Sequence, residues 1–119
     1  MISRLHEQRR RAPVSGHRER RADGFVERWH THESGQLVWS PLGVQLVQTR
    51  TRVWVTPPGG AVWIPPGEYH RPTSVGEGWE HDLYFNRELS ALLPAQSCVV
   101  AMTDALRRSV DDTFSVLER

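Results

Sequence analysis

Between Gly24 and Met102 no apolar stretch is longer than a β-strand, and nearly every one is bounded by Gly, Pro or Ser. The stretches are "GFVERWH" (24–30), "GQLVWS" (35–40), "GVQLVQT" (43–49), "TRVWVT" (51–56), "GAVWIP" (60–65) and "HDLYF" (81–85). Val, Trp, Leu and Phe dominate them, the composition of strands rather than helices. They recur about every ten residues with turn signals between, which predicts a mainly all-β sandwich or barrel. "TPPGG" (56–60) and "PPGEYH" (65–70) are turns or loops in this reading, because proline has no amide to give to a sheet ladder. The five tryptophans are spread over several of these segments and suit a β core.

The two ends differ from this middle. Residues 1–22 carry Arg4, Arg9, Arg10, Arg11, Arg18, Arg20 and Arg21 with almost no large apolar side chain, and they read as a disordered tail. A basic arm for phosphates is one use of such a tail, and a solvated leader is the other. His6 and His17 fall in it and read as solvated. After Asn86, "RELSALLP" (87–94) predicts a short helix ended by Pro94, and "SCVVAM" (97–102) a last strand. Thr103 and Asp104 can cap a helix in the final segment, 103–119. Leu106, Val110, Phe114 and Leu117 follow at intervals of four, four and three, one helical face. Residues 23–102 should fill their own core, so this stripe is expected to pair with a second copy; the alternative is that it folds back onto the outside of its own barrel.

Composition narrows the function. The 119 residues are one domain's length, with 38% hydrophobic and 24% charged residues and a formal charge of +1. That charge gives the whole molecule no strong pull on nucleic acid. All fifteen basic residues are arginine. No apolar run approaches the ~20 residues of a membrane helix, and the arginine-rich start has no signal-peptide core. Cys98 is the only cysteine and cannot form an intramolecular disulfide, so a reducing cytoplasm is the default location.

Within the strand-rich region, His30 and His32 alternate and therefore share a strand face. A turn at Glu33-Ser34-Gly35 can place Gln36 opposite them on the next strand. The Pro65-Pro66-Gly67 corner can bring His70 to the same mouth. Three imidazoles and one amide oxygen are a set suited to a divalent first-row transition ion such as nickel, iron or zinc. Trp63 and Tyr69 flank the corner and are candidate walls of an effector pocket, equally good as core residues. His81 begins a strand and reads as an exposed strand start, with a place in the pocket lining as the alternative.

The spacing resembles the two cupin motifs. One is glycine, five residues, His-x-His, three or four residues, Glu, six residues, glycine; the other is glycine, five residues, Pro-x-Gly, two residues, His. Here they are Gly24, His30, His32, Gln36 and Gly43, then Gly59, Pro65, Gly67 and His70. Gln36 replaces the glutamate, and Ser74 stands where an asparagine is expected. The phrases "HTHESGQLVWSPLGVQLVQT", "AVWIPPGEYH", "LYFNRELSALLP" and "CVVAMTDALRRSV" resemble the N-terminal effector-binding and dimerisation domain of AraC-type transcriptional regulators. That resemblance implies a cupin β-barrel or jelly roll with a short helix and a C-terminal helix, sensing a small molecule or metal and pairing as a homodimer. It also implies DNA contact only through a following helix-turn-helix domain. The nine residues after Val110 are too few for one, so a truncated regulator or stand-alone sensor is expected.

A regulatory, non-enzymatic sensor is the reading these features favour. A small metal-dependent cupin enzyme, an oxygenase or isomerase, is the alternative. An amide does not titrate near neutral pH, so Gln36 cannot serve as a general base.

Overall fold

A computed structural model describes residues 12–56 and 59–118 of the chain. Eight strands and two helices follow one another as β1 (Val14–Arg21), β2 (Gly35–Trp39), β3 (Val44–Thr49), β4 (Val53–Thr56), β5 (Gly60–Ile64), β6 (His70–Val75), β7 (Gly78–Phe85), α1 (Arg87–Ser90), β8 (Cys98–Ala101) and α2 (Asp104–Leu117). The five-stranded sheet runs β1-β7-β2-β5-β8 and the three-stranded sheet β4-β3-β6. Every strand pairing is antiparallel. The fold is mainly β, as the strand spacing predicts, and fits the cupin-type barrel that the family resemblance implies.

The five-stranded sheet is covered on both faces, which is why β2 and β5 are buried along their whole length. On the inner face, Val38, Val62 and Ile64 meet Val47 of the other sheet, with Trp54 against them. On the outer face, Leu37, Trp39, Ala61, Trp63 and Leu83 form a second cluster with Val110 and Phe114 of α2. A strand wet on one side would alternate apolar and polar; these read as continuous apolar runs because both sides are dry.

The expected tail is corrected over eight of its twenty-two residues. Residues 14–21 form β1, registered on β7 from Val14 opposite Phe85 to Arg21 opposite Gly78. Its charges are absorbed by neighbours: Arg21 lies 3.1 Å from Glu19 and 3.6 Å from Glu80, Arg18 lies 3.3 Å from Glu118, and Arg20 pairs with Glu77. Residues 1–11, His6 among them, lie outside the described residues.

The C-terminal stripe is also corrected. Helix α2 is capped as expected, Thr103 Oγ1 accepting from the Leu106 amide at 3.2 Å. Its apolar face, however, folds back on its own barrel. Val110 and Phe114 are buried, Leu106 is half-buried, and the Phe114 ring packs on Trp39 and His81 at 5.8 Å each. The sheet can receive that ring because β1 has no side chain at Gly16, where a Cβ would lie 2.7 Å from Phe114 Cε1. Leu117, at 40% exposure, is the least covered residue of the stripe.

Two further elements differ from expectation. Residues 24–30 form no regular strand; they follow β6 through two isolated bridges, Val26 with Thr73 and His30 with His70, and through amide-to-carbonyl bonds from Gly24 to Ser74, Ser74 to Phe25 and Glu27 to Pro72. Four steps on one side match three on the other, so one extra residue bulges out, beside Pro72, which has no amide to donate. β6 itself, "HRPTSV", is the sheet-edge strand that its proline disguises. The helix expected over 87–94 closes after Ser90, and Leu92, 82% exposed, has no surface to cover.

Candidate metal and effector site

The His30–His70 bridge joins the two halves of the site. The amide of each residue donates to the other's carbonyl at 2.9 Å. Gly67, at φ +80°, makes the corner before it and gives its amide to the His32 carbonyl at 2.9 Å. Any Cβ would be disfavoured at that φ. The three rings consequently meet, with centroids 5.6 Å apart for His30 and His32, 4.3 Å for His30 and His70, and 5.0 Å for His32 and His70. One ring nitrogen from each lies within 4.8 Å of the others.

Each imidazole is held by its Nδ1. His30 Nδ1 contacts the Arg28 carbonyl at 2.6 Å, His32 Nδ1 the Ser34 carbonyl at 2.6 Å, and His70 Nδ1 the Glu68 carbonyl at 2.7 Å. A carbonyl only accepts, so every Nδ1 is the donor, and in the neutral ring the lone pair is left on Nε2. All three second nitrogens are therefore ligand-competent, in the arrangement by which backbone carbonyls orient metal-binding histidines. His70 is fully buried, and its Nε2 has no hydrogen-bond partner among the described residues. Burial lowers its pKa to about 3, which keeps the ring neutral.

Gln36 completes the cluster. Its Oε1 lies 3.0 Å from His32 Nε2, and its Nε2 donates to Asp82 Oδ1 at 2.7 Å. With Nδ1 of His32 donating to Ser34, the facing His32 Nε2 and Gln36 Oε1 are two lone-pair atoms that a metal ion could share. Three imidazole nitrogens and an amide oxygen fit a first-row divalent ion.

Beside the cluster opens a cavity of about 440 Å³. His30, Gln36, Asp82 and Tyr84 border it on the metal side, and Glu19, Arg21 and Glu80 on the other. Burial pushes the Asp82 carboxyl well up from its ordinary value, and the neighbouring Glu80 pushes it further; the Gln36 hydrogen bond opposes both. The hydrogen bond from His17, at 2.7 Å, lowers Glu19.

The structure thus brings together His30, His32, Gln36 and His70, but not the two expected pocket walls. Trp63 belongs to the outer-face cluster, where its Nε1 donates to the Pro94 carbonyl at 2.8 Å. Tyr69 does not line this cavity; it stacks on Trp29 at 5.2 Å, with the Arg50 guanidinium 5.1 Å from its ring. His81, expected at an exposed strand start, is buried between Trp39 and Phe114, and burial lowers its pKa. His17, expected in solvent, borders the cavity. Asp82 and Glu80 went unread in the sequence; their only signal is that Glu80, Asp82 and Tyr84 alternate with His81, Leu83 and Phe85 along β7.

An antiparallel barrel with two glycine-cornered histidine motifs at its mouth defines a cupin-class protein. Within that class the chain belongs to the AraC-like ligand binding domain family, whose profile matches residues 12–113. Solved structures agree on the fold. ToxT of Vibrio cholerae, in a ligand-free form, superposes with a TM-score of 0.66 at 6% identity, over 88% of this chain and 48% of that one. An RmlC-like cupin from Shewanella frigidimarina gives 0.56 at 18% identity, over 61% and 66%. Oxalate decarboxylase of Bacillus subtilis gives 0.55 at 13% identity, over 64% and 22%. The chain therefore spans about half of ToxT and about a fifth of the decarboxylase. Among curated protein sequences none matches it. No helix among the described residues is long and apolar enough to cross a membrane.

Proposed function

We propose that this domain is the sensor of an AraC-type transcriptional regulator and that it binds a divalent transition metal through His30, His32, His70 and Gln36. The observation that carries the metal is the common fixing of three Nδ1 donors on backbone carbonyls, which turns three Nε2 lone pairs to one place. The adjoining cavity has room for a small-molecule effector beside the ion. Regulation would pass to DNA through a helix-turn-helix domain, as the family resemblance implies. Pairing of two protomers, also implied by the family, would have to use surface that α2 leaves outside, such as Val116 and Leu117, rather than the buried stripe.

The likeness to oxalate decarboxylase supports a second reading, a metal-dependent enzyme. Gln36 argues against it, since an amide cannot exchange the proton such chemistry requires. Oxygen consumption or substrate turnover by the iron-loaded protein would reverse the preference.

The direct test is thermal unfolding with and without nickel(II), zinc(II) or iron(II), on protein without a histidine tag. Binding to the folded state alone adds about 2.7 kcal/mol at a hundredfold excess over the dissociation constant. His70→Ala should remove the shift. An equal shift in wild type and variant rejects the metal site.

A further inference from the structure

We infer that Asp82 is a positioning residue for the metal site, one that fixes which atom of the Gln36 amide faces the imidazoles. The inference rests on the metal reading above and adds to it a residue of another strand. A glutamine is an ambiguous ligand, because its amide can turn either oxygen or nitrogen toward a given point. Only the oxygen has a lone pair for a cation; the –NH₂ group would repel it. Nothing in Gln36 itself chooses between the two.

Asp82 makes the choice. Its Oδ1 accepts from Gln36 Nε2 at 2.7 Å, and that contact is wholly buried. With Nε2 committed, Oε1 is directed to His32, 3.0 Å from its Nε2. The backbone holds the pair in place. Gln36 lies opposite Tyr84, and Val38 opposite Asp82, so the two side chains reach diagonally across neighbouring strands on the inner face. Glu80 stands beside the same carboxyl, and Oδ1 is the oxygen that meets the amide. The carboxylate of the usual cupin pattern is thereby displaced one step outward: the amide ligates, and the acid behind it orients and polarises the amide. Supporting groups of this kind, when removed, typically weaken metal binding by about 10–100-fold.

Isothermal titration of the intact chain with nickel(II) tests this. Asp82→Leu keeps the approximate shape, removes the acceptor and should weaken binding by at least about tenfold. Asp82→Asn keeps an acceptor oxygen for Gln36 and should stay within about threefold of wild type, an effect smaller than the loss of a supporting group. Circular dichroism of the metal-free variants establishes that they are folded. Should Asp82→Leu not fold, the glutamate exchange decides. Gln36→Glu alone sets two acceptors against each other, and adding Asp82→Asn supplies a donor, so the double variant should bind more tightly than Gln36→Glu alone. Wild-type affinity in Asp82→Leu, or equal losses in Asp82→Leu and Asp82→Asn, overturns the positioning role while leaving the metal site standing. Absence of any nickel binding that His70→Ala removes overturns the metal site and this inference together.

Discussion

The two faces of the five-stranded sheet are built from the same strands and do opposite things. The outer face, under α2, is closed by Trp39, Trp63, Leu83, Val110 and Phe114. The inner face has a small apolar floor of Val38, Val62 and Ile64 against Val47 of the other sheet, and beside it Gln36, Glu80 and Asp82 are buried facing His70 of β6. Burying such groups costs free energy unless they are paired. The outer face offers the stability that lets the inner face keep orphaned atoms such as His70 Nε2. Stability and recognition are thus divided between the two sides of one sheet only a residue apart along each strand.

Substitutions on one face should leave the other's property intact. The largest effect is expected from Phe114→Ala, about 3–5 kcal/mol of stability, the usual result of emptying a buried aromatic site. Urea unfolding measures it, and the folded fraction should keep its metal response. A loss of that response would show that the faces are not independent.

Gly16→Val should cost less, about 1–3 kcal/mol, because the new side chain meets a ring rather than leaving a void. In a Phe114→Ala background the penalty should shrink, and a double-mutant cycle measures the difference. An unchanged penalty would place the clash elsewhere.

Acid should act chiefly through the inner face. His70 takes up a proton near pH 6.5 when unfolded but only near 3 when folded. Between those values the unfolded state binds more protons, so the His70 contribution falls as pH falls. His70→Gln should flatten the decline in melting temperature from pH 6.5 downward in metal-free protein. An unchanged slope would assign acid sensitivity to other groups.

The smallest expected change has the opposite sign. Asp82 has a folded pKa above its unfolded value, so its contribution is present below about pH 3.9 and is lost as pH rises through the folded pKa. Asp82→Asn should therefore gain on wild type in metal-free stability as pH increases to neutrality. A pH-independent difference between the two proteins would contradict the raised pKa.

Much of this arrangement could be read from residue order. Strands β2, β3, β4, β5, β7 and β8 are legible as short runs rich in Val, Trp, Leu and Phe, most of them bounded by Gly, Pro or Ser, and α2 because Thr103 precedes an amphipathic repeat. His30, His32, Gln36 and His70 were legible because their spacing is local to two corners. β1 was not, since its charged side chains become compatible with a sheet only once Glu77, Glu80 and Glu118 stand beside them. The bulge over residues 24–30 was hidden because a register shift depends on the partner strand, here one containing Pro72.

The amino-acid sequence by itself determined the strand-and-turn plan, the two corners and the kind of atoms at the barrel mouth, because these follow from backbone dihedrals and near-neighbour spacing. Only the tertiary structure decided where the stripe of α2 goes, that Trp63 belongs to the core and Tyr69 to the surface, and that Asp82 stands behind Gln36. Those outcomes depend on which face of a strand meets which neighbour, a relation between residues far apart in the chain. Residues 16 and 114, or 36 and 82, acquire their roles only when packing brings them into contact.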